Sequence, residues 1–240
     1  MGNQTITETA KFELRKAILT GDIPPGTRLI PAKLEQQFNL SRICIREAIK
    51  ELTGTGLVES ASQRGATIAQ PVDMSELRDI YDIRYQLEGR ASFLGTQKIS
   101  DSDIIKMEIL QDKMQDKIDH NKEIELSDFL LNQEFHMILY RASGWRYLVK
   151  AIERIFDQVL LFRSSLYNKY GNNTKSVVYD EEYLKSYVVE HNKILTSLRE
   201  KNPEKVQKKM VDHLKKQGFD NIYRLYKLVI QKESLESLSA

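Results

Sequence analysis

The stretch "LSRICIREAIKELTGTGLVES", residues 40–60, contains one amphipathic helix followed by the start of a strand. Ser41 is a favoured N-cap residue, and Ile45 and Ile49 recur at the spacing of one buried helix face. Glycines follow the last apolar position, and a short β-like run comes after them. The pattern predicts a helix from residue 42 to about 54.

The opposite face of this helix carries three cations. Arg42, Arg46 and Lys50 are each four residues apart, so they share one side of the helix. Such a helix fits the major groove of DNA, where arginine bonds guanine through two donors and all three cations can meet phosphates. An isolated cationic stripe is more often a solvated surface. The flanking segments therefore decide between the two interpretations.

The flanking segments favour a winged helix-turn-helix. Residues 5–20 and 31–38 have helical patterns, whereas residues 21–29 cannot be helical across Pro24-Pro25. "GTGLVES" and "GATIAQ" are short β-like runs separated by "ASQRG", which indicates an antiparallel hairpin with a glycine at its tip. Helix, turn, helix and hairpin follow one another in the order of this fold.

The composition is that of a globular protein. The chain has 240 residues, 41% of them apolar, and a net charge of +2 that does not by itself indicate a nucleic-acid partner. Its apolar runs are far shorter than the ~18–20 residues that span a bilayer, and the N-terminus lacks the apolar core of a signal peptide. The single cysteine, Cys44, suits a reducing compartment. We therefore expect a cytoplasmic protein that does not enter a membrane.

Beyond residue 71 the chain has long helical patterns with few breaks. Short connections between long helices favour an antiparallel bundle. The expected fold class is mainly α, with a winged helix-turn-helix DNA-binding domain over residues 1–71 and an all-helical bundle over residues 72–240. The six predicted bundle helices span about 75–97, 101–119, 123–142, 145–169, 179–200 and 203–230.

Three of the four histidines lie on helix faces of this bundle. His191 and His213 are each eleven residues from Asn202, so a helical hairpin that turns there brings both to one level, roughly 16 Å along each helix. His136 lies on an apolar face two helices earlier, whereas His120 belongs to a predicted surface loop. A lone histidine on an apolar face is usually a hydrogen-bonded core residue. Three that converge indicate a shared site.

The N-terminal segment resembles the GntR family of bacterial regulators. The blocks "AILTGDIPPGTRL", "LSRICIREAIKELTGTGLVES" and "RGATI" match the family pattern in the same order across residues 10–70. The resemblance implies that the two arginines of the recognition helix contact DNA, that the serine begins this helix, and that the wing glycine lets the tip approach the DNA backbone. The predicted DNA-binding residues are Ser41, Arg42, Arg46, Lys50, Arg64 and Gly65.

This chain departs from the family pattern at two places. It has Ile43-Cys44 where the family often has Thr-Pro, and Pro31-Ala32 where the family often has an acidic residue followed by arginine. Both places lie within the DNA-binding region, so the operator sequence does not follow from the resemblance.

The bundle is similar to the C-terminal ligand-binding domain of the FadR-like branch of the same family, the FCD type. The blocks that carry the similarity are "DIYDIRYQLEGRASFLG", "NQEFHMILYRASG" and "EHNKILTSLREKNPEKVQKKMVDHL". In many members this domain binds a divalent metal ion through one aspartate and three histidines. The matching positions here are Asn132, His136, His191 and His213.

Asn132 replaces the acidic ligand of that pattern, so the site lacks a charge that would offset a divalent cation. Imidazole ligands suit zinc or nickel, which are the predicted cofactors, bound more weakly than at a carboxylate site. The alternative is a hydrogen-bonded cluster of histidine and asparagine that holds an organic ligand directly or through water.

Two arginines lie at the centres of apolar helix faces. A guanidinium group in such a place needs an anion, which applies to both Arg84 and Arg163. Glu88, one helical turn from Arg84, is one available partner. The carboxylate of a small effector is the other, and the family resemblance favours small organic acids. Arg84 and Arg163 are therefore predicted effector-binding residues.

These patterns predict a metabolite-responsive transcription factor, usually a repressor, that binds a palindromic double-stranded DNA operator as a homodimer. A dimer is expected because one recognition helix reads too few bases for useful specificity. One alternative is a metal-dependent hydrolase that uses the histidine cluster, although the chain lacks "HExxH". Another is a metal-free regulator that responds to acyl ligands, which leaves the three converging histidines unexplained.

Overall fold

The computed structural model describes residues 6–61, 65–120, 126–170 and 181–238. The chain forms two compact units, namely Met1–Asp73 with Phe156–Asn168, and Met74–Ile155 with Lys169–Ala240. The division into domains at residues 1–71 and 72–240 remains a prediction about which segments fold and act independently.

The first unit contains a winged helix-turn-helix. Its two later strands form the predicted hairpin, and a short first strand completes a three-stranded antiparallel sheet in which the third strand is central. The sequence had predicted only a turn where this first strand lies, because two residues are too few to show a periodicity. The elements are α1 (Ile6–Leu19), β1 (Arg28–Leu29), α2 (Pro31–Phe38), α3 (Arg42–Thr55), β2 (Val58–Ala61) and β3 (Gly65–Ile68).

The core of this unit lies between α1 and α3. Leu14 and Ile18 on α1, and Ile45 and Leu52 on α3, are completely buried. Burial of each such side chain stabilises the fold by about 1.5–3 kcal/mol. The apolar face of α3 is thereby fixed inward, which leaves its cationic face outward.

The second unit is all-helical, so the predicted fold class is confirmed. Helix α4 packs against α6 and α9, and α5 packs against α6 and α8. In the described part of the chain, no helix is both long enough and apolar enough to cross a bilayer. The elements are α4 (Met74–Thr96), α5 (Asp101–Asp119), α6 (Leu126–Ala142), α7 (Arg146–Tyr170, which runs through both units), α8 (Glu181–Arg199), α9 (Pro203–His213), a π-helical segment (Leu214–Phe219) and α10 (Asp220–Leu238).

The last predicted helix, over residues 203–230, is wrong in two respects, because it continues to Leu238 and is interrupted by a π-helical segment. The helix changes to π geometry after His213 and returns to α geometry at Asp220. Gly218 lies against Tyr81 of α4, and a Cβ at this glycine would be 2.7 Å from Tyr81 Cε1. The wider π turn accommodates this close approach, which no helical periodicity could reveal.

A second close approach positions α6. A Cβ at Gly95 of α4 would lie 2.1 Å from the backbone oxygen of Leu139, so only glycine fits there. Helix α6 can therefore approach α4 closely at this point. Leu139 is less than one turn from His136, so the contact also fixes the position of that histidine.

Candidate DNA-binding surface and histidine cluster

Helix α3 has a capped start and a defined end. Ser41 Oγ accepts a hydrogen bond from the backbone N–H of Cys44 at 3.3 Å, which satisfies one free donor of the first turn. Gly56 ends the helix at φ 83°, and its N–H bonds to the carbonyl of Leu52. The predicted helix therefore begins at the predicted residue, and Ser41 has a clear capping function.

The outward face of α3 carries the three predicted cations. Arg42, Arg46 and Lys50 are all exposed. Arg42 donates to Glu35 of α2, with its Nη2 2.7 Å and its Nε 2.9 Å from Oε2. Within the described residues, neither Arg46 nor Lys50 forms an ion pair. Exposed ion pairs contribute only about 0–1 kcal/mol, so Glu35 is a weak competitor for DNA phosphate.

A further exposed cation lies beside the start of β3. Gly65, at the start of β3, has φ 76°, and a Cβ there would lie 3.7 Å from the guanidinium nitrogens of Arg28. Arg28 is exposed on β1 and pairs in register with Thr67. Sequence reasoning missed Arg28 because the two-residue strand that positions it had no signal. Arg64 lies outside the described residues, so its DNA-binding function remains a prediction.

Three predicted metal ligands come together in the second unit. His136 on α6, His191 on α8 and His213 at the end of α9 are between 1% and 3% exposed. Each offers one ring nitrogen, and these three atoms lie within 4.8 Å of one another. The ring centroids are 5.0 Å apart for His136 with either partner and 4.7 Å apart for His191 and His213.

Aromatic side chains surround this histidine cluster. The ring of Phe135 stacks on His191, with centroids 4.1 Å apart and an interplanar angle of 4°. Tyr187, one turn before His191, has its ring centroid 4.3 Å from that imidazole. These rings exclude water from the cluster and restrict rotation of His191.

Burial keeps the three imidazoles neutral. It lowers the pKa values of His136 and His191 well below 6.5, and the neighbouring histidine His213 lowers both further. The pKa of His213 is lowered to about 3, chiefly by burial and also by Arg84, although Glu190 opposes the shift. Neutral imidazole is the form that binds a metal ion. The cluster is therefore chemically ready to act as a ligand set at neutral pH.

The arrangement fits a divalent metal ion. Among the residues that the structure describes, His191 Nε2 and His213 Nδ1 are buried without a hydrogen-bond partner. Two nitrogens bound to one tetrahedral zinc ion are about 3.4 Å apart, since each bond is about 2.1 Å and the bonds are about 109° apart. The three ring nitrogens lie within 4.8 Å of one another, so they have to move closer together to share one ion. A cluster of three neutral imidazoles also matches zinc and nickel in ligand type.

Asn132 lies beside this cluster and is only partly buried. Its Oδ1 accepts a hydrogen bond from the hydroxyl of Tyr187. The same oxygen would have to use its second lone pair to bind a metal ion. Asn132 as a ligand therefore remains a prediction, and Tyr187 is its polar neighbour in the folded protein.

The guanidinium group of Arg84 pairs with an acidic side chain of the protein itself. Its Nε is 2.5 Å from Glu88 Oε1, and Tyr140 donates its hydroxyl to Glu88 Oε2 at 2.7 Å. Burial is the largest influence and opposes the charge of Arg84, but the Glu88 carboxylate together with Tyr81 and Tyr140 outweighs it, so the pKa of Arg84 is raised. Of the two partners considered from the sequence, Glu88 is the one in contact. An effector carboxylate at Arg84 remains a prediction.

Arg163 lies in the other compact unit. It is 5% exposed on the segment of α7 that belongs with the winged domain, whereas Arg84 belongs to the helical unit. The structure therefore does not bring the two predicted effector-binding arginines into one unit. The function of Arg163 in effector binding remains a prediction.

The first unit defines a class of protein. A winged helix-turn-helix that presents cations on an exposed recognition helix is the framework of DNA-binding regulators. The family model "Bacterial regulatory proteins, gntR family" matches residues 6–68, and the model "FCD domain" matches residues 79–216. The chain therefore belongs to the GntR family of bacterial regulatory proteins, in the group that carries an FCD domain.

Individual relatives agree with this assignment. The HTH-type transcriptional regulator YdhC of Bacillus subtilis (strain 168) is 28% identical over 203 residues, which cover 84% of each chain. The Glc operon transcriptional activator of Escherichia coli (strain K12) is 25% identical over 229 residues, covering 88% of this chain and 86% of the activator. The solved structure of E. coli McbR/YncC shares the fold, with a TM-score of 0.75 and 22% identity over 93% of this chain and 98% of that chain.

These matches decide between the broad alternatives. The chain is a DNA-binding transcriptional regulator of the GntR family, and the matched family and relatives are regulators rather than enzymes. The hydrolase hypothesis for the histidine cluster is therefore not retained.

Proposed function

We propose that this regulator binds a palindromic operator as a homodimer and that a divalent metal ion, together with a small carboxylate, controls the binding. The recognition helix α3 supplies the operator contacts through Arg42, Arg46 and Lys50. The histidine cluster of the helical unit supplies the control. The observation that carries the second part is the convergence of three buried, neutral imidazoles.

The metal ion accounts for the chemistry of the cluster. Burial of polar ring nitrogens without partners costs about 1–3 kcal/mol each, and His191 Nε2 and His213 Nδ1 have none among the described residues. A metal ion satisfies both atoms at once. His136, His191 and His213 would hold it, and the ion when bound would polarise and orient an anionic ligand.

A carboxylate effector follows from the charge of this ligand set. Three neutral imidazoles and the Asn132 amide supply no negative charge to offset a divalent cation. A small organic acid would supply that charge from outside the protein. Arg84 lies close enough to lower the pKa values of His136 and His213, so it can add a cationic contact for the same acid if the acid competes with Glu88.

Dimeric binding follows from the size of one recognition surface. A single helix in the major groove contacts only a few base pairs, and two such helices on a two-fold axis read a palindrome. We infer that the bound regulator represses transcription. Since one relative is named as an activator, a reporter fused to the operator would decide the direction.

A thermal-shift screen tests the control of the regulator. Purified, untagged protein is melted with small mono-, di- and tricarboxylates, each with and without Zn²⁺ or Ni²⁺. A ligand at 100 times its Kd stabilises the folded state by about 2.7 kcal/mol and therefore raises the Tm. The proposal predicts that an effector raises the Tm only in the presence of the metal. An acid that raises the Tm equally without metal would instead support the metal-free regulator.

A further inference from the structure

Gln111 interrupts an otherwise apolar face of α5. It is 4% exposed, and an unpaired buried amide would destabilise the fold. Both ends of its side chain must therefore be satisfied, and the two partners show what the residue does. The other buried residues of this face are Ile104, Met107, Met114 and Ile118.

The two contacts of Gln111 fix the orientation of its amide. Its Nε2 donates to the backbone carbonyl of Val188 at 3.2 Å. A carbonyl oxygen only accepts, so the NH₂ end of the amide has to face it. The amide oxygen Oε1 is then left 2.9 Å from His191 Nδ1. Two acceptors cannot share a hydrogen bond, so Nδ1 carries the proton and donates it to Gln111.

This hydrogen bond determines which nitrogen of His191 has the free lone pair. A neutral imidazole carries one N–H, so with the proton on Nδ1 the lone pair is on Nε2. Nε2 is the buried atom that has no hydrogen-bond partner in the described structure. The Phe135 ring that stacks on His191 restrains the plane of the imidazole but does not distinguish its two nitrogens.

We propose that Gln111 is a positioning residue that selects the Nδ1–H tautomer of His191 and so directs Nε2 toward the metal ion. The inference rests on the proposed function of the histidine cluster as a metal site. Gln111 would then act as the outer partner that metal-binding histidines usually have. Val188, on the same helix as His191, holds Gln111 in the orientation that this requires.

The tautomer can be read in the metal-free protein. Long-range ¹H–¹⁵N correlation spectra of ¹⁵N-histidine-labelled protein, treated with a chelator, are expected to show His191 as the Nδ1–H tautomer. Gln111→Met removes both the acceptor and the donor and is expected to shift His191 toward the Nε2–H tautomer. Gln115→Met, one turn along α5, is the matched control and leaves the spectrum unchanged, because the Gln115 amide donates to Asp119 of its own helix. An Nε2–H tautomer in the unsubstituted protein would overturn the proposal.

Calorimetric titration with Zn²⁺ alone gives the second readout. Gln111→Met is expected to weaken binding by about 10–100-fold, the usual loss when such an outer partner is removed. Gln115→Met keeps the affinity, and Gln111→Glu, which retains an acceptor for Nδ1–H but loses the donor to Val188, is expected to keep the Nδ1–H tautomer. If Gln111→Met fails to fold, Gln111→Glu with the tautomer spectrum carries the test.

The outcomes separate this proposal from the metal hypothesis. Unsubstituted protein that binds no Zn²⁺ contradicts the proposed metal site, and the metal-free spectrum still shows whether Gln111 selects the tautomer. Unsubstituted protein that binds Zn²⁺, with equal affinity in Gln111→Met, contradicts the function of Gln111 alone.

Discussion

The outer face of α3 and the histidine cluster are both sets of basic side chains on helices, but their surroundings differ. Arg42, Arg46 and Lys50 are exposed, so water solvates their permanent charges and a polyanion can reach all three. The three histidines are at most 3% exposed, and burial keeps them uncharged. The same kind of residue thus acts as a cation on the surface and as a neutral ligand in the core.

The comparison also separates two kinds of binding. Binding at α3 is expected to weaken steeply with salt, because cations on DNA displace counterions. Binding at the cluster depends on geometry and on competition with protons, because a metal ion requires unprotonated nitrogens. Substitutions can test each of these differences, and the expected changes in binding or stability differ in size.

The largest effect is expected at α3. Replacing Arg42 and Arg46 together by Ala should weaken specific operator binding by about 2–6 kcal/mol, since an arginine that contacts a base contributes about 1–3 kcal/mol. Fluorescence anisotropy with an operator fragment measures the loss. The control pair Arg199→Ala and Lys205→Ala removes the same charge from exposed positions of the helical unit. Equal losses in the two variants would mean that overall charge, and not α3, binds the operator.

The next effect is expected at the histidine cluster. His191→Ala should weaken Zn²⁺ binding by about 3 kcal/mol, because zinc sites with four ligands bind with about 10–16 kcal/mol in total. Calorimetry on untagged protein measures the affinity. His120→Ala is the control, since His120 is exposed at the end of α5 and takes no part in the cluster. If His191→Ala bound Zn²⁺ with unchanged affinity and stoichiometry, the result would show that the cluster has only a structural function.

A pH dependence should distinguish the neutral cluster from the charged surface. The pKa of His213 is about 3 when folded, chiefly because of burial, against about 6.5 when unfolded. The unfolded chain therefore binds more protons below pH 6.5, so the metal-free protein loses stability as the pH falls. His213→Asn should reduce this slope by about 1.4 kcal/mol per pH unit between about pH 5.5 and 4.5. Urea denaturation with a chelator measures the slope, and one that His213→Asn leaves unchanged contradicts the burial of a neutral imidazole.

The smallest effect is expected at Asn132. Asn132→Asp restores the acidic group of the family pattern and should tighten Zn²⁺ binding by about 1 kcal/mol, because desolvation of the carboxylate offsets most of the attraction. The hydroxyl of Tyr187 can still donate to either side chain. Calorimetry under the same conditions measures the difference, and no tightening would show that residue 132 is not a ligand.

Much of the fold could be predicted because its signals are local. Ser41 and Gly56 delimit α3 through capping, and α5 has the predicted bounds, Asp101–Asp119. The π-helical segment after His213 could not be predicted, since it depends on the contact between Gly218 and Tyr81, residues far apart in the chain. Helical periodicity contains no information about such a partner.

The candidate sites also combine features that the sequence predicts with features that only the folded structure shows. The cationic stripe of α3 follows from a four-residue spacing, but its pairing with Glu35 and the approach of Arg28 to the wing need the folded domain. Arg84 illustrates the limit, because the sequence left its anion open between Glu88 and an effector. Only the packing of α4 against α6, which brings Tyr140 to Glu88, shows the internal network.

Caps, turns and periodicity act over a few residues, so the order of the helices, the winged domain, the family resemblance and the outward face of α3 could all be predicted from the sequence. The free nitrogen of His191 and the place of Gln111 follow from the folded chain, because both depend on hydrogen bonds between α5 and α8, about 80 residues apart. Such a bond depends on packing, and spacing along one helix cannot encode it.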